Sequence, residues 1–206
     1  MIKVLAWNAR CLDELKQEEI INFMRENNVY IVGISESWRY GNDIIYDKSV
    51  NKIRRFGLNH PNGRRGVVVY TRTELKIKYD MDFCLELEEC EMITAHIGDL
   101  TIVFTYLANG RKATGLNCMI EQIEALYDLY DKVIVMGDFN TRMCITPRDR
   151  WNESGRRLSK YLKESSFSRV PINWATFLPA STCLDHCITT HMDAISDWGI
   201  IERSFD

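Results

Sequence analysis

The chain is poor in the residues that break or staple structure. It has 4 prolines and 11 glycines in 206 residues. That is too few for collagen or a low-complexity linker, and at 46% hydrophobic the chain is too apolar for disorder. No run approaches the roughly 18 uncharged apolar residues of a membrane helix. The first eight residues, Met1 to Asn8, carry one charge and a short apolar run, so they read as a strand and not as a secretory signal. The phosphate-cradling Gly-x4-Gly-Lys-Ser/Thr loop is missing, and so is the Gly-x-Ser-x-Gly elbow. No Cys-x-x-Cys pair exists among the 7 cysteines. This excludes a zinc ribbon and points to free thiols in a reducing compartment. The net charge of −3 argues against a protein that coats nucleic acid by bulk charge. It leaves room for a local basic face. Paired cations occur at Arg54-Arg55, Arg64-Arg65, Arg111-Lys112, Arg148 with Arg150, and Arg156-Arg157.

Short apolar runs dominate what is present. Residues 2–7, 29–34, 66–70, 75–79, 91–97, 100–107, 132–136 and 184–189 read as strands, and Trp198-Gly199-Ile200-Ile201 reads as a last one. Gly98-Asp99 between two of them signals a hairpin. Helical spacing appears over 13–27, 114–130 and 154–164, with Ser154 as the expected N-cap of the third helix. Residues 39–63 read as polar and irregular. Strands outnumber helices, and several are joined by hairpin-length turns. This favours a single layered α/β or α+β domain over residues 1–206, with much antiparallel pairing.

Chemistry-bearing residues sit where apolar strands end. Asn8, Glu36, Asn109, and Asp138 with Asn140 each follow such a run. Sheet ends are where ligand sites gather, although a single acid there is usually a turn residue or a cap. Hard carboxylates with amide partners suit Mg²⁺, which keeps several waters and prefers phosphate-bearing ligands.

Five ordered blocks carry a family likeness: Trp7-Asn8, Ser35-Glu36-Ser37-Trp38, Tyr106-Leu107-Ala108-Asn109, Gly137-Asp138-Phe139-Asn140, and Thr182-Cys183-Leu184-Asp185-His186. Together they resemble the endonuclease/exonuclease/phosphatase superfamily of abasic-site endonucleases and DNase I. Within it they most resemble the endonuclease domain of LINE-type non-LTR retrotransposons. Thr141 after the fourth block and Thr176-Phe177 before the fifth fit that branch. Ala108 departs from the pattern, standing where the family has proline.

The resemblance implies a four-layer α/β-sandwich, with two packed, mixed, largely antiparallel sheets flanked by helices. It implies a Mg²⁺-dependent enzyme (Mn²⁺ serving in its place) that nicks DNA and leaves a 3′-hydroxyl. Glu36 would bind the metal with Asn8 beside it. Asp138 would activate the attacking water, and Asn140 would hold the phosphorus centre. Tyr106 and Asn109 would bond phosphate oxygens, and Asp185 would orient a catalytic imidazole. Thr176, Thr182 and Arg142 would face the substrate. The implied setting is nuclear, in a longer polypeptide with reverse transcriptase, as a monomeric domain with DNA as partner and no membrane.

The family's closing Ser-Asp-His block is where this sequence diverges. In one register Ser196-Asp197-Trp198 is that block, with tryptophan in place of histidine. In the other, Trp198–Ile201 is the strand that precedes it, and Ser204-Phe205-Asp206 opens it. The second register fits the family's spacing better. It makes Asp206 a metal ligand and places the histidine and a last strand beyond Asp206. His60, His96, His186 and His191 read as structural or surface residues in either register. Hydrolysis of another phosphate ester, such as a nucleotide, RNA tail or inositol lipid, is the enzymatic alternative. A non-catalytic nucleic-acid-binding domain is the other.

Overall fold

The computed structural model describes residues 1–38, 44–46, 53–57, 65–108, 113–177, 179 and 181–200, with 44–46 as backbone only. β1 (Lys3–Asn8) runs parallel to β2 (Val29–Ser35), and α1 (Glu14–Glu26) crosses between them. The helix starts at Asp13, whose extended backbone lets its carboxylate accept from Lys16 N at 2.8 Å. It buries Ile20, Ile21, Phe23 and Met24 on the sheet. Its last carbonyls are satisfied from outside, because Arg72 donates to Met24 O at 2.8 Å and to Arg25 O at 3.3 Å. β5 (Val68–Arg72), β4 (Ile53–Gly57) and β3 (Ile44–Tyr46) complete the first sheet in the order β1-β2-β5-β4-β3. Two of these strands fall inside 39–63, so that reading is corrected. Each is too short to show a period by itself, and both exist by pairing with a neighbour.

The second sheet comprises β6 (Lys78–Tyr79), β7 (Leu85–Glu86), β8 (Cys90–Ile97), β9 (Leu100–Leu107), β10 (Lys132–Asp138), β11 (Ser168–Arg169) and β12 (Asp185–Thr189). Its order is β11-β12-β10-β9-β8-β6, with β7 also on β8. The hairpin turns at Gly98, where φ is +61°, and Ile97 pairs Leu100. Among the described residues, parallel pairing is confined to β1–β2 and β9–β10. α2 (Thr114–Tyr127) and α3 (Glu153–Glu164) cover the outer face. Three apolar clusters define the layers. One lies between α1 and the first sheet, one between the sheets, and one between the second sheet and α2 with α3. β2 shows the alternation: Val32 and Ile34 face the α1 cluster, and Ile31 faces the other sheet. Gly33 also faces inward, because a Cβ there would lie 1.9 Å from the Phe104 ring. This is the expected four-layer sandwich.

Three local readings change. The strand expected over 75–79 is formed only at Lys78–Tyr79. The cap of α3 is Asn152, whose side chain accepts from Gly155 N at 2.7 Å, while Ser154 is buried inside the first turn. Residues 195–200 form no strand. Trp198 is 44% exposed, and its indole N–H donates to Pro171 O at 3.3 Å. A side-chain bond, not a ladder, holds that segment.

Candidate active site

Five strands deliver their polar ends to one place. Asn8 closes β1 opposite Ser35, the residue before Glu36. Asp138 closes β10 and is paired on one side with Tyr106 and on the other with Asp185. A single amide joins the two sheets here. Asn8 Nδ2 donates to Glu36 Oε1 at 3.0 Å and to Asp138 Oδ2 at 2.7 Å. Asn8 Oδ1 accepts from Arg10 N at 3.1 Å, which fixes the amide's orientation. Asp138 Oδ1 accepts from Asn140 N at 2.8 Å. Asn140 Nδ2 donates to Leu107 O at 2.7 Å, leaving its second N–H and its carbonyl oxygen for other partners.

The backbone is strained around these side chains. Arg10, Cys11, Glu36, Trp38, Asn140 and Ser181 all have positive φ. Such residues cost about 1–3 kcal/mol each and persist where the surroundings over-determine them. Here the two loops are zipped together: Cys11 N donates to Glu36 O at 2.8 Å, and Leu12 N to Ser37 O at 3.0 Å. Gly137 has φ +141°, and a Cβ there would meet Thr105 O at 2.1 Å. β10 can approach β9 that closely only with glycine at this position.

Burial, with like charges added to it, dominates the electrostatics. Burial, then the neighbouring Asp185, push the Asp138 carboxyl well above the usual carboxylate range, with Glu36 adding to the rise. The N–H donors from Asn140 and Asn8 offset this only in part. Burial raises Asp185 to about 6, against the pull of the Thr176 hydroxyl. Tyr106 is 8% exposed. Burial and the charges of Glu36 and Asp138 raise its phenol, while Arg65 lowers it. It is a neutral hydrogen-bond donor at neutral pH.

The remaining expected residues divide. Thr176 works inward, its hydroxyl accepting from Leu184 N at 2.9 Å and Asp185 N at 3.0 Å. It shapes the turn that presents Asp185. Thr182 is 3% exposed with its side-chain oxygen buried. Arg142 is half-buried, and its backbone N–H donates to Asn152 Oδ1 at 3.0 Å. Asn109 and Asp206 lie outside the described residues.

No described imidazole reaches Asp185. His186 is 2% exposed and donates to Thr141 O at 2.9 Å. Burial lowers it to about 4. His96 is held between Asp80 and Thr101, and His191 follows the far end of β12. Sequence reasoning missed Arg10, whose guanidinium lies 4.6 Å from the Phe177 ring centre beside Asn8. It also missed Asn152, which donates to Asn140 O at 3.0 Å. An Asn before an acidic first turn was the available signal for the second; the first left none.

The donor set fits a hard divalent cation. Glu36, Asp138 and Asp185 repel one another, and no Lys or Arg is ion-paired with them among the described residues. A divalent cation is the charge this set lacks. No described group of three His, Cys, Asp or Glu side chains forms a full cage. Mg²⁺ needs none, since it binds through one or two carboxylates and keeps its waters.

Fold and site together define a metal-dependent phosphate-ester hydrolase. Residues 5–200 match the sequence profile described as Endonuclease/Exonuclease/phosphatase family, and the chain belongs to that family. The endonuclease domain of TRAS1, a telomere-specific non-LTR retrotransposon, superposes with a TM-score of 0.65 at 15% identity, over 91% of this chain and 83% of that one. The 3′-5′ exonuclease NExo of Neisseria meningitidis does so at 0.67 and 13%, over 91% and 86%. An AP endonuclease of Archaeoglobus fulgidus gives 0.61 and 17%, over 92% and 87%. At these identities the likeness is one of fold. No curated protein matches the chain by sequence.

Proposed function

We propose that the protein nicks DNA in a Mg²⁺-dependent reaction that leaves a 3′-hydroxyl, with Mn²⁺ able to replace Mg²⁺. The proposal extends to a retrotransposon endonuclease domain, joined to reverse transcriptase and working in the nucleus. The observation that carries it is the Asn8 amide, which holds Glu36 and Asp138 together next to Asp185 and Tyr106. The likeness to the TRAS1 domain supports the retrotransposon role, and seven free cysteines suit a reducing compartment.

Glu36 would hold the cation, with the Asn8 amide fixing its carboxylate. The chemistry a cation there would supply is positive charge at a phosphate oxygen and at the leaving oxygen. Asp138, with its raised proton affinity, takes a proton from the attacking water. Tyr106 donates its O–H to a phosphate oxygen, and the free N–H of Asn140 reaches the same group. Asp185, steadied by the Thr176 hydroxyl, is the acceptor against which an imidazole would be oriented.

The test is nicking of supercoiled plasmid in Mg²⁺. The expected result is slow formation of relaxed circles that ligase reseals, since no described imidazole reaches Asp185. Glu36→Gln and Asp138→Asn should each reduce it by about a hundredfold or more. Relaxation that persists in EDTA, or survives both substitutions, would overturn the reading. Turnover of a nucleotide or inositol phosphate without nicking would replace DNA with a small ester as substrate.

A further inference from the structure

Two stretches of this acidic chain carry much of its positive charge, 52–65 and 148–163, and the second is described throughout. Residues 148–163 contain Arg148, Arg150, Arg156, Arg157, Lys160 and Lys163 against Asp149 and Glu153. Six cations less two acids give +4, in a chain whose total is −3. All six basic residues are exposed, whereas Asp149 is buried. Lys160 lies 4.0 Å from Glu164, a pair open to solvent and weakly bound.

This stretch is fastened to the active site. Asn152 Nδ2 donates to Asn140 O at 3.0 Å, and Asn152 Oδ1 accepts from Arg142 N at 3.0 Å. A Cβ on Gly155 would lie 1.9 Å from Arg142 O, so the first turn of α3 packs backbone to backbone on the segment after Asn140. The loop between is held rigid: Thr146 donates to Ser181 O at 2.6 Å, and Asp149 N donates to Thr146 O at 3.0 Å. Trp151, next to the clamp, is 40% exposed. With Arg156 and Ser159 it lines a shallow notch of about 180 Å³. That is below the roughly 300–1,000 Å³ of a small-molecule pocket. It is large enough for a phosphate or the edge of a sugar.

Resting on the DNA reading of the site, we infer that residues 148–151 and the exposed face of α3 form a track for duplex DNA leading away from the scissile phosphate. Arg156, Arg157 and Lys160 meet successive phosphates, and Trp151 packs on a sugar at the near end. Charge complementarity selects the occupant, because phosphate contacts supply most of the sequence-independent affinity for DNA. The Asn152 clamp explains how an outer helix can act on the reaction: it fixes the track relative to Asn140.

The experiment is fluorescence anisotropy with a 30-base-pair duplex in EDTA, over 50–200 mM KCl. Arg156→Gln/Arg157→Gln/Lys160→Gln keeps good helix formers at exposed positions, and thermal melting checks its fold. Its affinity should fall at least about tenfold at 100 mM KCl. Its salt slope should flatten by about 2 to 3, near 0.9 per lost phosphate contact. Trp151→Ala should weaken binding several-fold with the slope retained. Lys76→Gln, which removes an exposed cation off the track, should keep the wild-type slope. A folded triple variant with wild-type affinity and slope overturns the track and leaves the nuclease reading standing. A wild type that binds no duplex at any salt removes the DNA reading itself. Loss of binding to phosphatidylserine vesicles, with duplex binding unchanged, assigns the face to a membrane and also overturns the track.

Discussion

Replacing Asp185 with asparagine should stabilise the metal-free protein at neutral pH while removing the group that would orient an imidazole. Burial raises the Asp185 carboxyl from 3.8 to about 6. An acid with a raised folded pKa binds its proton more tightly when folded. Its ionisation therefore costs nothing well below pH 4, costs more as pH rises from about 4 to about 6, and costs its full amount above that. About two units at about 1.4 kcal/mol each give on the order of 3 kcal/mol at pH 7.5. Asparagine matches the shape, never ionises, and can still accept from the Thr176 hydroxyl. For a chain of this length the gain corresponds to a rise in Tm of about 6–12 °C. At pH 4.5 it should shrink to about 1 kcal/mol. Differential scanning calorimetry in EDTA at the two pH values measures both. Saturating Mg²⁺ should narrow the gap at pH 7.5, because a cation relieves the same repulsion in the wild type. An Asp185→Asn protein no more stable than wild type at pH 7.5, or equally advantaged at both pH values, would refute the reasoning.

Gly33→Ala should lower the stability measured by urea unfolding by about 1–3 kcal/mol or more, since the new methyl would lie 1.9 Å from a buried ring carbon of Phe104. Phe104→Leu in the same chain should recover part of that loss; strictly additive losses would show that the ring is not the obstacle. His186 should remain neutral at pH 5 in ring-nitrogen NMR, because its folded pKa lies near 4. A buried base with a lowered pKa favours folding above its ordinary value of 6.5. The corresponding stability should be lost as pH falls from about 6.5 to about 4. A ring titrating near 6.5 in the folded protein would contradict its burial.

The site's residue types were legible because they follow a local rule. Apolar runs end, and polar side chains emerge at sheet edges. Asn8, Glu36, Tyr106, Asp138, Asn140 and Asp185 each stand at such an end, and the ordered blocks around them carried the family. The same local patterns located α1, the β8–β9 hairpin and the strand β10. What failed was nonlocal. β3 and β4 are strands because β5 lies beside them, not because five residues specify one. Trp198–Ile200 has a strand's composition and no strand partner among the described residues.

By itself, then, the sequence determined the layered class, the central strands and the set of groups available for chemistry. Tertiary structure decided how those groups are used. Asn8 and Asp138 are 130 positions apart, and only the meeting of the two sheets puts one amide between two carboxyls. Thr176 stands before the last block in the sequence, and only the turn before β12 engages its hydroxyl with Leu184 and Asp185. Asn152 gave the signal of a helix cap, but its grip on Asn140 depends on where α3 lands. Residue type is written locally, whereas the charge a carboxyl feels is set by which other chain ends fold against it.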